Sequence, residues 1–245
     1  EVITENAGEG TDVVAIVTST DFSLMTAASL DEIDQIRFAG ASQTGTFTGS
    51  QLTGETINLT ETAAGTSNLI IDVGSGTTAT FANITASTFS SGADTVTING
   101  STGNENITGP NLVSTILGGV GVDTIVAGTA NDTIDGGDGA DNLTGGVGDD
   151  VYLFDTGDVD SGESIIENVG EGTDVVAIVT STDFSLITAA SIDEVEEIRF
   201  AGANQTGTFK GSQLTGETIN LTETAAGTSV LVVNVDSGAT IDLVN

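Results

Sequence analysis

The chain has 245 residues, with 36 acidic side chains against three basic ones, Arg37, Arg199 and Lys210, and a formal charge of -33. Without histidine or cysteine it can build no Ser-His-Asp or Cys-His catalytic arrangement, no disulfide and no thiolate metal site. Without a basic patch, nucleic acid is excluded as a partner.

A hydrophobic fraction of 38% argues against disorder. The chain must therefore fold against its own repulsion, and bound cations that neutralise carboxylates are the direct means. No apolar run approaches the roughly 20 residues that span a bilayer, so no membrane insertion is expected. The opening EVITENAGEG has none of the features of a signal peptide.

In chain order, the first element is an acidic turn, ENAGEGTD, carrying Glu5, Glu9 and Asp12. Up to residue 97 there come the runs VVAIV, GTFTG, TINLTE, LIIDV and TVTING, separated by Gly, Ser, Thr and Asn, which predict short strands and turns. One stretch departs from this. In SLDEIDQI, Ser29 and Glu32 have capping-box spacing and Leu30, Ile33 and Ile36 share a face, predicting a short helix at 29–36 and its counterpart at 191–198.

From residue 98 a nine-residue period takes over, through Ile98, Ile107, Ile116, Ile125, Ile134, Leu143 and Tyr152. GGVGVDTIV at 118–126, GGDGADNLT at 136–144 and GGVGDDVYL at 145–153 fit GGxGxDxUx, and AGTANDTID at 127–135 nearly does. Each nonapeptide reads as a glycine turn followed by a strand with one large inward residue. Two of them make an 18-residue coil, so Asp123 stacks with Asp141, and Asp132 with Asp150.

Between such turns, carboxylates and backbone carbonyls make an all-oxygen cage suited to Ca²⁺ and less suited to Mg²⁺. The candidate ligand turns comprise Gly118, Gly119, Gly121, Asp123, Gly128, Asp132, Gly136, Gly137, Gly139, Asp141, Gly145, Gly146, Gly148 and Asp150. Two well-formed calcium sites are expected, with weaker ones at Glu105 below, at Asp158 or Asp160 above, and at Asp12 and Asp174. The turn GPNLVSTIL at 109–117 lacks the motif aspartate.

A longer repeat encloses this block. Residues 1–83 realign on 163–245, with 63 of 83 positions identical. ENVGEGTD at 167–174 thus repeats the acidic turn, with Glu167, Glu171 and Asp174.

The run GGVGVDTIVAGTANDTIDGGDGADNLTGGVGDDVYLF resembles the calcium-binding repeat of RTX (hemolysin-type) proteins. The continuation GDDVYLFDTGD…IIENVGEGTD resembles the segment C-terminal to such repeats in long bacterial surface and secreted proteins. The resemblance implies a parallel β-roll that binds Ca²⁺ between its turns. It also implies export through a type I secretion channel, with folding outside the cell.

The expected fold is all-β: a right-handed parallel β-solenoid with a central RTX calcium roll at 98–162, flanked by irregular solenoid at 1–97 and 163–245. A separate β-sandwich beside a small roll is the alternative. The expected function is a calcium-binding structural module of a secreted, cell-surface bacterial protein, such as an S-layer, adhesin stalk or filament. The alternative is the secretion and folding module of an RTX toxin or exoenzyme. Partners are calcium and, end to end or between neighbouring repeats, the chain itself. Catalysis is not expected, because the acidic pairs are accounted for by metal turns and sugar-binding aromatics are scarce.

Overall fold

The computed structural model describes residues 10–27, 30, 32–89, 93–167, 172–188, 192, 194–215 and 218–235. Within these, 22 short strands succeed one another and every strand pair is parallel. A sandwich would pair its strands antiparallel, so the chain is a parallel β-solenoid.

One sheet of ten strands begins at Thr20–Asp21, passes through Ser114–Val120, Thr133–Asp138 and Val151–Phe154, and ends at Asn220–Glu223. The alternate strands make three shorter sheets. Four strands run from Val13–Ile16 to Ile84–Ala86, five from Thr78–Thr80 to Ser164–Ile166, and three from Thr182–Asp183 to Val230–Asn234.

The register confirms the 18-residue coil: Ile116 pairs with Ile134 and Ile125 with Leu143. Outside the nonapeptides the coils lengthen, with Val13 opposite Gln35 and Leu69 opposite Val96. The narrow coil is held together by a file of inward residues. Ile98, Ile107, Ile116, Ile125, Ile134, Leu143 and Tyr152 are all fully buried, each stabilising the roll by ~1.5–3 kcal/mol.

The predicted helices at 29–36 and 191–198 are not formed by the described residues; Ser29, Asp31, Ser191 and Asp193 lie outside them. Instead Gln35–Phe38 and Glu197–Phe200 are strands. Glu32 and Glu194, at φ 64° and 63°, sit in the left-handed region that ends a helix. Leu30, Ile33 and Ile36 are buried as their spacing suggested, but from a loop that enters a strand. Pairing of Gln35 to Phe38 with Val13 to Ile16 outweighs the local helical signal.

Helical turns occur elsewhere, at Gly49–Leu52 and Gly211–Leu214. A buried glutamine organises each. Gln51 Oε1 accepts from Thr48 N–H (2.6 Å), and its amide donates to the carbonyls of Phe22 (2.8 Å) and Met25 (3.0 Å). Gln213 repeats the arrangement with Lys210, Phe184 and Ile187.

The two copies of VVAI differ in their surroundings. Val13 is 36% exposed, whereas Val175 is 4% exposed, because Val175 to Ile178 pair directly onto Val151 to Phe154 at the end of the nonapeptide roll.

Candidate metal centre

Four strands of the roll are entered through an aspartate two positions before the inward apolar residue. Asp123 precedes Ile125, Asp132 precedes Ile134, Asp141 precedes Leu143 and Asp150 precedes Tyr152. All four aspartates are at most 1% exposed. A buried carboxylate needs partners, and the stacking supplies one for each.

One carboxylate oxygen accepts from the backbone N–H of the residue at the same position in the coil below, which makes two ladders. On the first, Glu105 N–H donates to Asp123 Oδ1 (2.7 Å), Asp123 N–H to Asp141 Oδ1 (2.7 Å) and Asp141 N–H to Glu163 Oε2 (2.9 Å). On the second, Ser114 N–H donates to Asp132 Oδ1 (2.7 Å), Asp132 N–H to Asp150 Oδ1 (2.7 Å) and Asp150 N–H to Asp174 Oδ1 (2.9 Å).

The other oxygen is left over. Oδ2 of Asp123, Asp132 and Asp141 is buried with no hydrogen-bond partner. In Asp123 it lies against the first glycine of its own nonapeptide, where a Cβ on Gly118 would stand 2.6 Å from it. Gly136 stands in the same relation to Asp141 Oδ2. These glycines keep open the space into which the carboxylates turn.

Burial pushes the Asp132 carboxyl up to about 7 and that of Asp141 up to about 6, although hydrogen bonds to each lower it. Asp123 is raised for the same reason. Groups driven toward neutrality by desolvation, each with one unsatisfied oxygen, fit a cation that would restore their charged form. The donors are carboxylate and glycine-turn carbonyl oxygens, hard ligands of the kind Ca²⁺ takes. A bound calcium would supply the positive charge this chain lacks.

Residues 117–152 match the family model described as the RTX calcium-binding nonapeptide repeat, in four copies. These residues are an RTX repeat block. No curated protein and no solved structure is similar enough to the chain to count as a match.

Around the RTX block, the other predicted residues take different positions. Glu105 is buried beneath Asp123, but its carboxylate already accepts from Gly76 N–H (2.6 Å) and Ser101 N–H (3.0 Å), so it closes the first ladder. Asp158 is buried and accepts from Asp155 N–H.

Asp160 is exposed and stands outside the ladder. Glu163 continues the first ladder above Asp141, because that coil is lengthened to 22 residues and Glu163 is the acid that precedes inward Ile165. Its carboxyl is driven by burial up to about 9, and its Oε1 has no partner.

Asp12 is half-buried and donates its N–H to Asp34 Oδ2 (2.8 Å); Glu5 and Glu9 lie outside the described residues. Asp174 is buried and continues the second ladder, its own N–H donating to Glu196 Oε2 (2.8 Å).

The nonapeptide pattern alone does not reveal Glu163, Glu196, Asp34 or Asp94. The detectable signal is the simpler acid-x-apolar triplet. It recurs at Asp34–Ile36, Asp94–Val96, Glu163–Ile165 and Glu196–Ile198, outside the nonapeptide glycine turns.

Proposed function

We propose that the chain is a calcium-rigidified structural module of a secreted, cell-surface bacterial protein, of the kind that builds an S-layer, adhesin stalk or filament, and that it has no catalytic role. Ca²⁺ binds between turns, with Asp123 and Asp141 holding one ion and Asp132 and Asp150 another. The observation that carries this reading is the set of buried, unpartnered Oδ2 atoms of Asp123, Asp132 and Asp141 among glycine turns. Among the described residues the single ion pair is Arg199–Glu197, so no protein cation offsets these carboxylates.

The long near-identical repeat supports a structural role, because stacked coils build length and stiffness. Head-to-tail association of copies, or of neighbouring repeats, would extend the same stack of parallel coils. Metal binding is coupled to folding: a site filled at a hundred times its dissociation constant adds about 2.7 kcal/mol.

A calcium titration of the metal-stripped chain, monitored by far-UV circular dichroism with calorimetry, tests this. The expected outcome is a gain of β signal with at least two ions bound, as the two turn pairs require, and a loss of ions in Asp123→Ala and Asp132→Ala. A chain already β-rich in chelator, binding no calcium and indifferent to both substitutions, would overturn the reading.

A further inference from the structure

Beyond the RTX block, Gly172, Thr173 and Asp174, which lead into the long repeat, lie directly on the last nonapeptide turn. Thr173 N–H donates to Asp149 Oδ1 (2.9 Å), Asp150 N–H donates to Asp174 Oδ1, and a Cβ on Gly172 would collide with the carbonyl oxygen of Gly148. The sequence there, Gly170-Glu171-Gly172-Thr173-Asp174, has the GxGxD spacing of the nonapeptides, although it lies 24 residues above Asp150.

Glu167 enters the space between the two turns. Asp150, Glu167 and Asp174 each place a carboxylate oxygen within 4.8 Å of the others, and they are 0%, 8% and 1% exposed. Two ligands on opposite sides of one Ca²⁺, each at ~2.4 Å, lie about 4.8 Å apart, so one ion can span the three.

Two further observations separate this cluster from an ordinary acidic surface. Oε2 of Glu167 is buried with no hydrogen-bond partner. Its Oε1 accepts from the Tyr152 hydroxyl, whose oxygen in turn accepts from Gly145 N–H (2.6 Å). Tyr152 stands where Ile116 and Ile134 stand in the coils below. In the inward file from Ile98 to Tyr152, the one member with a hydroxyl thus occurs where a carboxylate has to be held inside the roll.

We propose that Asp150, Glu167 and Asp174 form a further divalent-cation site, fitted to calcium, which fastens the second long repeat to the end of the RTX block. The proposal rests on the calcium reading of the block and adds a junction site in which a glutamate from outside the nonapeptides is a ligand. Tyr152 is a positioning residue that aims Glu167.

Tyr152 is the single tyrosine and the chain has no tryptophan, so it is a built-in reporter. Bound calcium is counted by calorimetry on the whole chain, and Tb³⁺ emission excited through Tyr152 is recorded in parallel. Glu167→Gln is expected to lose one calcium equivalent and most of the tyrosine-excited emission, while keeping its β-rich spectrum in calcium. Asp123→Asn, on the other ladder, is expected to lose a roll ion and keep that emission.

A Glu167→Gln chain that binds as many ions as the unsubstituted one, with equal emission, overturns the junction site and leaves the roll intact. An unsubstituted chain that binds no calcium overturns both. Should Glu167→Gln not fold in calcium, Asp174→Asn takes its place, and an undiminished count there overturns the site.

Discussion

At Gly139 the backbone takes φ 147°, and a Cβ would run into the carbonyl oxygen of Gly121 in the coil below. Conformation and contact both demand glycine, since the coils stack at the spacing of hydrogen-bonded strands. Gly139→Ala is therefore expected to cost about 1–3 kcal/mol in calcium. Gly74→Ala, whose Cβ would meet nothing nearer than Thr77 Cγ2 at 3.7 Å, is expected to stay within ~0.5 kcal/mol. Urea denaturation of the two variants checks this, and equal costs would mean the turns are not stacked so closely. The requirement is legible in the sequence as a recurring glycine; the atom that enforces it, a carbonyl 18 residues earlier, is not.

The two acid ladders act as elements in their own right. Burial raises the carboxyls of Asp141 and Asp174 to about 6, those of Asp132 and Glu167 to about 7 and that of Glu163 to about 9. In the unfolded chain these groups titrate near ~4. A group whose value is raised by folding contributes stability that is fully present below its unfolded value and is lost as pH rises through the folded one. The metal-stripped chain is thus expected to be most stable near pH ~4 and to lose stability as pH climbs through about 6 to 9. Calcium added near neutrality should restore the fold and release protons. Thermal melts of metal-stripped protein decide the matter: a melting temperature that rises across this range would contradict the ladder's electrostatics. The same ladders explain why Glu163 escaped the nonapeptide pattern. That pattern requires glycines before the acid, whereas the ladder requires only an acid two positions before an inward residue.

Across the whole molecule, corresponding strands of the two long-repeat copies occupy different sheets. Val13–Ile16 opens the four-stranded sheet, while its counterpart Val175–Ile178 joins the ten-stranded one. Thr44–Thr48 lies in the ten-stranded sheet and its counterpart Thr206–Lys210 in the three-stranded one. The 162-residue unit therefore does not contain a whole number of coils, and the second copy is turned about the solenoid axis relative to the first. One consequence is measurable with identical sequence as its own control. Val175 to Ile178, covered by the RTX block, should exchange amide hydrogens more slowly in calcium than Val13 to Ile16. Equal protection would place the RTX block and the second copy in separate, unstacked units.

Features that repeat at short range were settled by the sequence alone. The inward file from Ile98 to Tyr152, the 18-residue coil and the stacking of Asp123 on Asp141 all derive from a strict nine-residue period. A periodic chain has one register that buries every large residue, so spacing suffices. Features that depend on coils of unequal length were settled by the tertiary structure. It drew Leu30, Ile33 and Ile36 into the core through a loop and strand, set Glu163 above Asp141, and brought Glu167 and Asp174 onto Asp150. Those contacts cross 22 or 24 residues, or 17 between Asp150 and Glu167, with no common period, and only the closure of each coil over its neighbour specifies them.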